Sequence, residues 1–227
     1  MSRAAWVRII PFAVFMAFIA LQQALGWLIA QGMLPLAKQQ LLYLYPVKAV
    51  LVAALLFFFR HAYTELRFSE LKNMRHLAGS LLLGVLVFVL WINMDWEFAT
   101  FGDSPGFDPG SVGSSSRNIL ILFRILGAAL VVPVMEELFW RSFLLRYIID
   151  PDFTSVRIGT FTLSSFLITA VLFGFEHHLI LAGIMAGMAY SLLLYWSRSL
   201  AHCVLAHAIT NLLLAFYVLA NGNWQFW

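Results

Sequence analysis

Residues 131–147, VVPVMEELFWRSFLLRY, set Glu136 and Glu137 side by side and Arg141 four positions later inside an otherwise apolar run. Four residues on an α-helix turn about 400°, so Glu137 and Arg141 share a face one turn apart and can pair. Glu136 points about 100° away, so one arginine cannot serve both carboxylates equally. One carboxylate is then anchored by a cation while the other faces elsewhere, free to act as a general base. The plainer alternative is a structural ion pair near a membrane interface, with Arg141 and Arg146 reaching outwards. Such a pair needs only one glutamate.

Two further segments carry polar groups at one-turn spacing. In FGFEHH, residues 173–178, Phe173 and His177 are four apart, so a ring can pack beside an imidazole. Histidine there can move protons near neutral pH or bind a metal. Alternatively, Glu176, His177 and His178 form an interfacial turn that meets water. In HAITN, residues 207–211, His207 and Asn211 fall on one helix face and both can donate hydrogen bonds. That suits an oxyanion, and it equally suits interhelical hydrogen bonding. His61, His76, His202 and Cys203 sit near predicted interfaces and receive no role. Together the three segments supply a carboxylate base, a second proton carrier and neutral donors, the equipment for attacking a peptide carbonyl with water.

The elements that must position these groups are hydrophobic helices. The 227 residues are 62% hydrophobic and only 11% charged, against roughly 25% charged in soluble domains. The charges fall between apolar runs long enough to span a bilayer. The pattern predicts an all-α polytopic transmembrane helix bundle with about seven spans. These are Ile9–Ala30, Leu41–Phe59, Leu77–Ile92, Ile119 to about Leu145, Ile158–Phe175, Leu179–Trp196 and Leu200–Ala220. A β-barrel would need short alternating segments, which are missing. The first run is too long for a signal-peptide core and is expected to be retained.

With the N-terminus cytoplasmic, Arg3, Arg8, Arg60, Arg67, Lys72, Arg75, Arg141, Arg146, Arg157 and Arg198 gather on the inner side. Lys38 and Arg117 alone fall outside, and Lys48 and Arg124 lie within spans. This is a positive-inside distribution. The net charge of +3 thus reflects orientation, and no nucleic-acid-binding face is expected. The outer loop, residues 93–118, carries Asp95, Glu97, Asp103 and Asp108 with a GSVGSSS tract. Residues 1–227 form one integral membrane domain, with the motif-bearing helices at 119–220. Pro11, Pro46 and Pro133 fall within spans, where proline removes a backbone donor. Gly183 and Gly187 form a GxxxG expected to allow close packing within the bundle. The single cysteine, Cys203, excludes an intramolecular disulfide.

The ordered motifs Glu136-Glu137-Leu-Phe-Trp-Arg141, Phe173-Gly-Phe-Glu-His177 and His207-Ala-Ile-Thr-Asn211 resemble the CPBP (CAAX protease and bacteriocin-processing, or Abi) family of intramembrane endopeptidases. The type II CAAX prenyl endopeptidase is one branch of it. The likeness covers about residues 119–220; the first three spans are not diagnostic. It implies a glutamate-dependent hydrolase with a cavity in the bilayer open to the cytoplasm. Carried over, Glu136 and His177 would activate water, His207 and Asn211 would bind the oxyanion, and Glu137 and Arg141 would orient the site. No cofactor is expected; there is no HExxH, although Glu136, His177 and His207 have the donor chemistry to satisfy zinc. Ser142 stands where the family pattern has a small residue, often glycine. His178 leaves the motif-two base open by one position.

The compact chain is similar to bacterial members, including relatives associated with exosortase-type C-terminal sorting. That implies a multi-pass protein of the bacterial plasma (inner) membrane, with a membrane-anchored protein or peptide as substrate and a link to protein sorting. The family resemblance also allows a non-catalytic self-immunity factor or scaffold, and the buried acids would suit a proton-coupled transporter. One depth conflict stands out. His177 falls at the outer end of its predicted span while Glu136 and His207 lie deeper, so that span must start later or break before His177.

Overall fold

Every predicted span becomes a helix, and each ends where the sequence supplies a reason. The structure is a computed structural model describing residues 1–100 and 106–227, so Asp103 of the acidic loop lies outside the described residues. The helices are α1 (Arg3–Ala30), α2 (Leu44–Phe59), α3 (Met74–Trp91), α4 (residues 114–149), α5 (Leu163–Phe175), α6 (Ile180–Ser197) and α7 (Leu200–Asn221). Ser2, Asn73 and Thr162 cap the first turns of α1, α3 and α5 through their side-chain oxygens, accepting from Ala5, His76 and Ser165. Gly222 closes α7 with a left-handed φ of 71°. Among the described residues no strand forms; Thr100 and Leu179 make an isolated antiparallel bridge.

Six of these helices are long and apolar enough to cross a membrane. The exception corrects the predicted fifth span. Residues 158–162 are irregular and α5 begins only at Leu163, leaving 13 residues. At 1.5 Å per residue it is about 20 Å long, well short of a hydrocarbon core of about 30 Å. The helix therefore stops early, and the chain turns back at residues 176–179 to enter α6. This resolves the depth conflict at His177.

Small residues set the closest approaches. A Cβ on Gly174 would meet Ile184 at 2.3 Å, one on Gly183 would meet the Gly174 Cα at 2.8 Å, and one on Gly187 the Ala170 Cα at 3.1 Å. Gly183 and Gly187 thus hold α6 against α5 inside the bundle, as expected of that spacing. Between α3 and α7, a Cβ on Gly84 would lie 2.6 Å from the Ala206 carbonyl oxygen.

At one end of the bundle a polar clamp joins α1, the connection after α2 and the end of α4. Arg8 donates through Nε to Glu65 Oε1 at 2.8 Å and through Nη2 to Glu65 Oε2 at 2.7 Å. Ser142 Oγ also donates to Glu65, and Arg146 Nη2 reaches Ser142 Oγ at 3.0 Å. His202, at the start of α7, packs against α3 and the connection before it. It is fully buried, with Nδ1 2.9 Å from Ser80 Oγ and Nε2 3.1 Å from the Glu70 carbonyl; Cys203 is equally buried. Lys48, within α2, is buried over the rings of Phe15 and Tyr45, 4.0 and 5.0 Å from their centroids. Pro46 proves harmless, since it occupies the first turn of α2, where an amide donor is dispensable.

Candidate active site

The long helix α4 is not a uniform α-helix. Residues Gly127–Val131 and Leu138–Leu144 wind as π-helix around the short α-helical segment Val132–Glu137. Such wide turns recur at functional sites because they re-aim side chains within a continuous helix. The first ends just before Pro133, and the second carries Arg141. Glu136 and Glu137 occupy the regular turn between them.

That geometry gives the two acids different contacts. Arg141 Nη1 donates to Glu137 Oε1 at 3.2 Å, and Nη2 donates to the Gly187 carbonyl on α6 at 3.2 Å. Glu136 receives no bond from it. Both acids and the arginine are withdrawn from the surface, at 3%, 0% and 1% exposure for Glu136, Glu137 and Arg141. The guanidinium also lies 4.4 Å from the Phe173 ring centroid and 5.5 Å from that of Tyr190. Such aromatic faces favour a desolvated cation.

His207 comes from α7 to stand between the two carboxylates. Its Nδ1 lies 3.0 Å from Glu137 Oε1 and its Nε2 is 3.9 Å from Glu136 Oε2. A carboxylate only accepts, so Nδ1 carries the proton in this contact, and Nε2 is the nitrogen turned towards Glu136. Glu136 Oε2 is buried and without a hydrogen-bond partner. An acidic oxygen left this way is expensive unless a ligand or water completes it.

His177 sits beyond Phe173 in the turn after α5. The Phe173 ring separates the two imidazoles, with centroids 4.8 Å from His177 and 6.3 Å from His207. His177 Nδ1 is 2.8 Å from the Phe173 carbonyl, an acceptor, which fixes the proton on Nδ1 and leaves Nε2 as a proton acceptor. Trp91, the last residue of α3, flanks the same ring at 5.2 Å. Asn211, one turn after His207, donates through Nδ2 to the Ala128 carbonyl at 2.8 Å, inside the first π turn. The structure thus brings Glu136, Glu137, Arg141 and His207 into direct contact. It sets His177 beside them across a ring and ties Asn211 to the backbone of α4.

Three contributors escaped the sequence reading. Tyr190 stacks on His207, with centroids 4.9 Å apart and planes 19° from parallel, and donates to Thr210 Oγ1 at 2.8 Å. Its spacing of three from Gly187 and seven from Gly183 put it on the face that packs against the bundle, a usable but unread signal. Glu176 accepts from Trp140 Nε1 at 2.8 Å, tying the motif-two turn to α4. Gly187 offers Arg141 a carbonyl, which no side-chain pattern could reveal.

Residues 118–213 match the family described as type II CAAX prenyl endopeptidase Rce1-like. This stretch is similar to that family. The three motifs identified above all fall inside it, and the first three helices lie outside. No curated protein and no solved structure gives a match. That family is one of membrane proteases, and the matched residues run from α4 to α7 of a multi-pass helical bundle. Among the described residues, no three His, Cys, Asp or Glu side chains converge as a metal-ligand set. His207 Nδ1 and His177 Nδ1 are both engaged within the protein, by Glu137 and by the Phe173 carbonyl.

Proposed function

We propose that this chain is an intramembrane endopeptidase that hydrolyses a peptide bond near the end of a membrane-anchored protein or peptide. The observation that carries this is Glu136: a buried carboxylate, unpaired on Oε2, facing the Nε2 of an imidazole that its neighbour Glu137 holds in place. Glu136 takes a proton from water as the water oxygen attacks the scissile carbonyl, and later returns it to the departing amine. His207, once doubly protonated, keeps its Nδ1 proton on Glu137 and donates from Nε2 to the developing oxyanion. Glu137 fixes the ring orientation, as a carboxylate does for histidine in other hydrolases. Arg141 pairs with Glu137 and holds it out of the reaction. His177, with Nε2 free, is the second proton acceptor beside the site.

The substrate enters from the cytoplasmic side, where the basic connections gather, and the protein resides in a bacterial plasma membrane. Its substrate is then the tail of a bacterial membrane protein or a sorted precursor. This follows from the resemblance to bacterial relatives and from the positive-inside distribution.

The test is a comparison of membrane-protein termini by mass spectrometry in cells expressing the wild-type chain, Glu136→Gln or His207→Ala at equal levels. A set of new termini present with the wild type and lost in both variants supports the endopeptidase. Identical termini in all three would leave a non-catalytic membrane protein as the better account.

A further inference from the structure

Asn211 lies in the motif that resemblance assigns to the oxyanion, yet one of its two amide hydrogens is committed elsewhere, and the position of a proline explains why. In the first π turn, the Val132 amide donates to the Gly127 carbonyl, five residues back. In that register the next carbonyl, Ala128, would accept from residue 133. Residue 133 is proline and has no N–H. Asn211 Nδ2 supplies the missing donor from α7 at 2.8 Å.

The same arrangement occurs a second time, independently. Pro11 lies inside α1 and cannot donate to the carbonyl four residues back, that of Val7. Tyr63, from the connection after α2, donates its hydroxyl to the Val7 carbonyl at 2.9 Å. At both interior prolines a side chain from another part of the chain completes the abandoned carbonyl. In a membrane interior, where water cannot do so, that need is acute.

We infer that Asn211 is a positioning residue, which fills the carbonyl left open by Pro133 and so fixes the turn of α4 that aims Glu136. The link is short: Ala128 is two turns before Glu136 on the same helix, and Pro133 stands between them. Asn211 also sits one turn after His207, so a single helix carries the imidazole and the bond that sets the carboxylate opposite it. The activity arm of the following test rests on the endopeptidase proposal; the stability arm does not.

The decisive comparison is Asn211→Leu alone against Asn211→Leu with Pro133→Ala. Alanine at 133 restores an N–H that the Ala128 carbonyl can accept. Thermal unfolding in detergent should drop by roughly 2 °C or more for Asn211→Leu, as an orphaned buried carbonyl in a chain of this size implies. The double variant should recover most of that loss. Yield of the Glu136-dependent termini should fall at least roughly tenfold in the single variant and return to within about threefold in the double, by the same hydrogen-bond energies. Should Asn211→Leu fold too poorly to purify, recovery of folded protein on adding Pro133→Ala is itself the expected result. A double variant as unstable and inactive as the single one would overturn the inference. So would a double variant that regains stability but no activity, because the amide would then act on the reacting atoms. If no Glu136-dependent termini exist in the wild type, the function fails while the stability comparison still decides the role of Asn211.

Discussion

His207 Nδ1 lies 3.0 Å from Glu137 Oε1, which makes Glu137 a partner of two residues, since Arg141 binds the same oxygen at 3.2 Å. One carboxylate oxygen thereby joins the cation of α4 to the imidazole of α7. Glu136, its immediate neighbour in sequence, takes no hydrogen bond from Arg141 and meets the imidazole only at its other nitrogen, 3.9 Å away. The adjacent acids differ because a helix sends consecutive side chains about 100° apart. A structural ion pair alone would require Glu137 and Arg141 and would leave Glu136 unexplained.

Removing the cation should cost more than removing the pair. Arg141→Met leaves the Glu137 charge buried with only His207 beside it, a loss of about 3–5 kcal/mol by the behaviour of broken buried pairs. Glu137→Gln with Arg141→Met removes both charges and should recover part of that loss. Thermal unfolding in detergent of the two purified variants is the check, and equal destabilisation would contradict the ion-pair assignment.

Gly183 and Gly187 pack α6 onto α5 within one chain, so enlarging them should disturb the fold and not the oligomeric state. Gly183→Leu should lower the unfolding temperature by several degrees, on the order of the 1–3 kcal/mol typical of overpacking. Its mass in detergent, by light scattering, should equal that of the wild type. A wild-type dimer that this substitution converts to monomer would show the stripe to be intermolecular.

Tyr63 gives the fold an alkaline limit. Burial pushes its hydroxyl from the ordinary 10.0 up to about 12, with Arg8 opposing and Glu65 adding to the rise. The protonated hydroxyl is the form that donates to Val7. Its contribution is therefore complete below pH 10, where the unfolded chain also keeps the proton, and is lost as pH rises to about 12. Unfolding temperatures measured from pH 9 to 12 should fall more steeply for the wild type than for Tyr63→Phe, and parallel curves would contradict this.

Much of the fold was legible because hydrophobic runs and charge placement dictate membrane helices. The boundary that failed, at the start of α5, did so because Ile158 and Phe161 extend the apolar run upstream, while Thr162 is the cap that opens the helix. One-turn spacing correctly paired Glu137 with Arg141 and Phe173 with His177. It could not show that α4 changes to π-helix twice, or that Asn211 from α7 reaches the backbone of the first wide turn. Pro133 reads in the sequence only as a lost backbone donor within a span; in the structure it follows a wide turn braced from α7. Spacing alone also could not tell that His207 would hold Glu137, because no local pattern relates residues seventy apart.

The central claim is that Glu136 does the chemistry while Glu137 holds the site together. It is tested most directly with wild-type and Glu136→Gln protein, reconstituted in lipid vesicles with a solubilised membrane-protein fraction in ¹⁸O-labelled water. Wild-type protein should create new C-termini carrying one labelled oxygen. Glu136→Gln should create them at least about a thousandfold more slowly, a loss within the 10²–10⁴ range of general-base catalysis, while unfolding at the wild-type temperature. Labelled termini formed at the wild-type rate by a correctly folded Glu136→Gln protein would contradict the account.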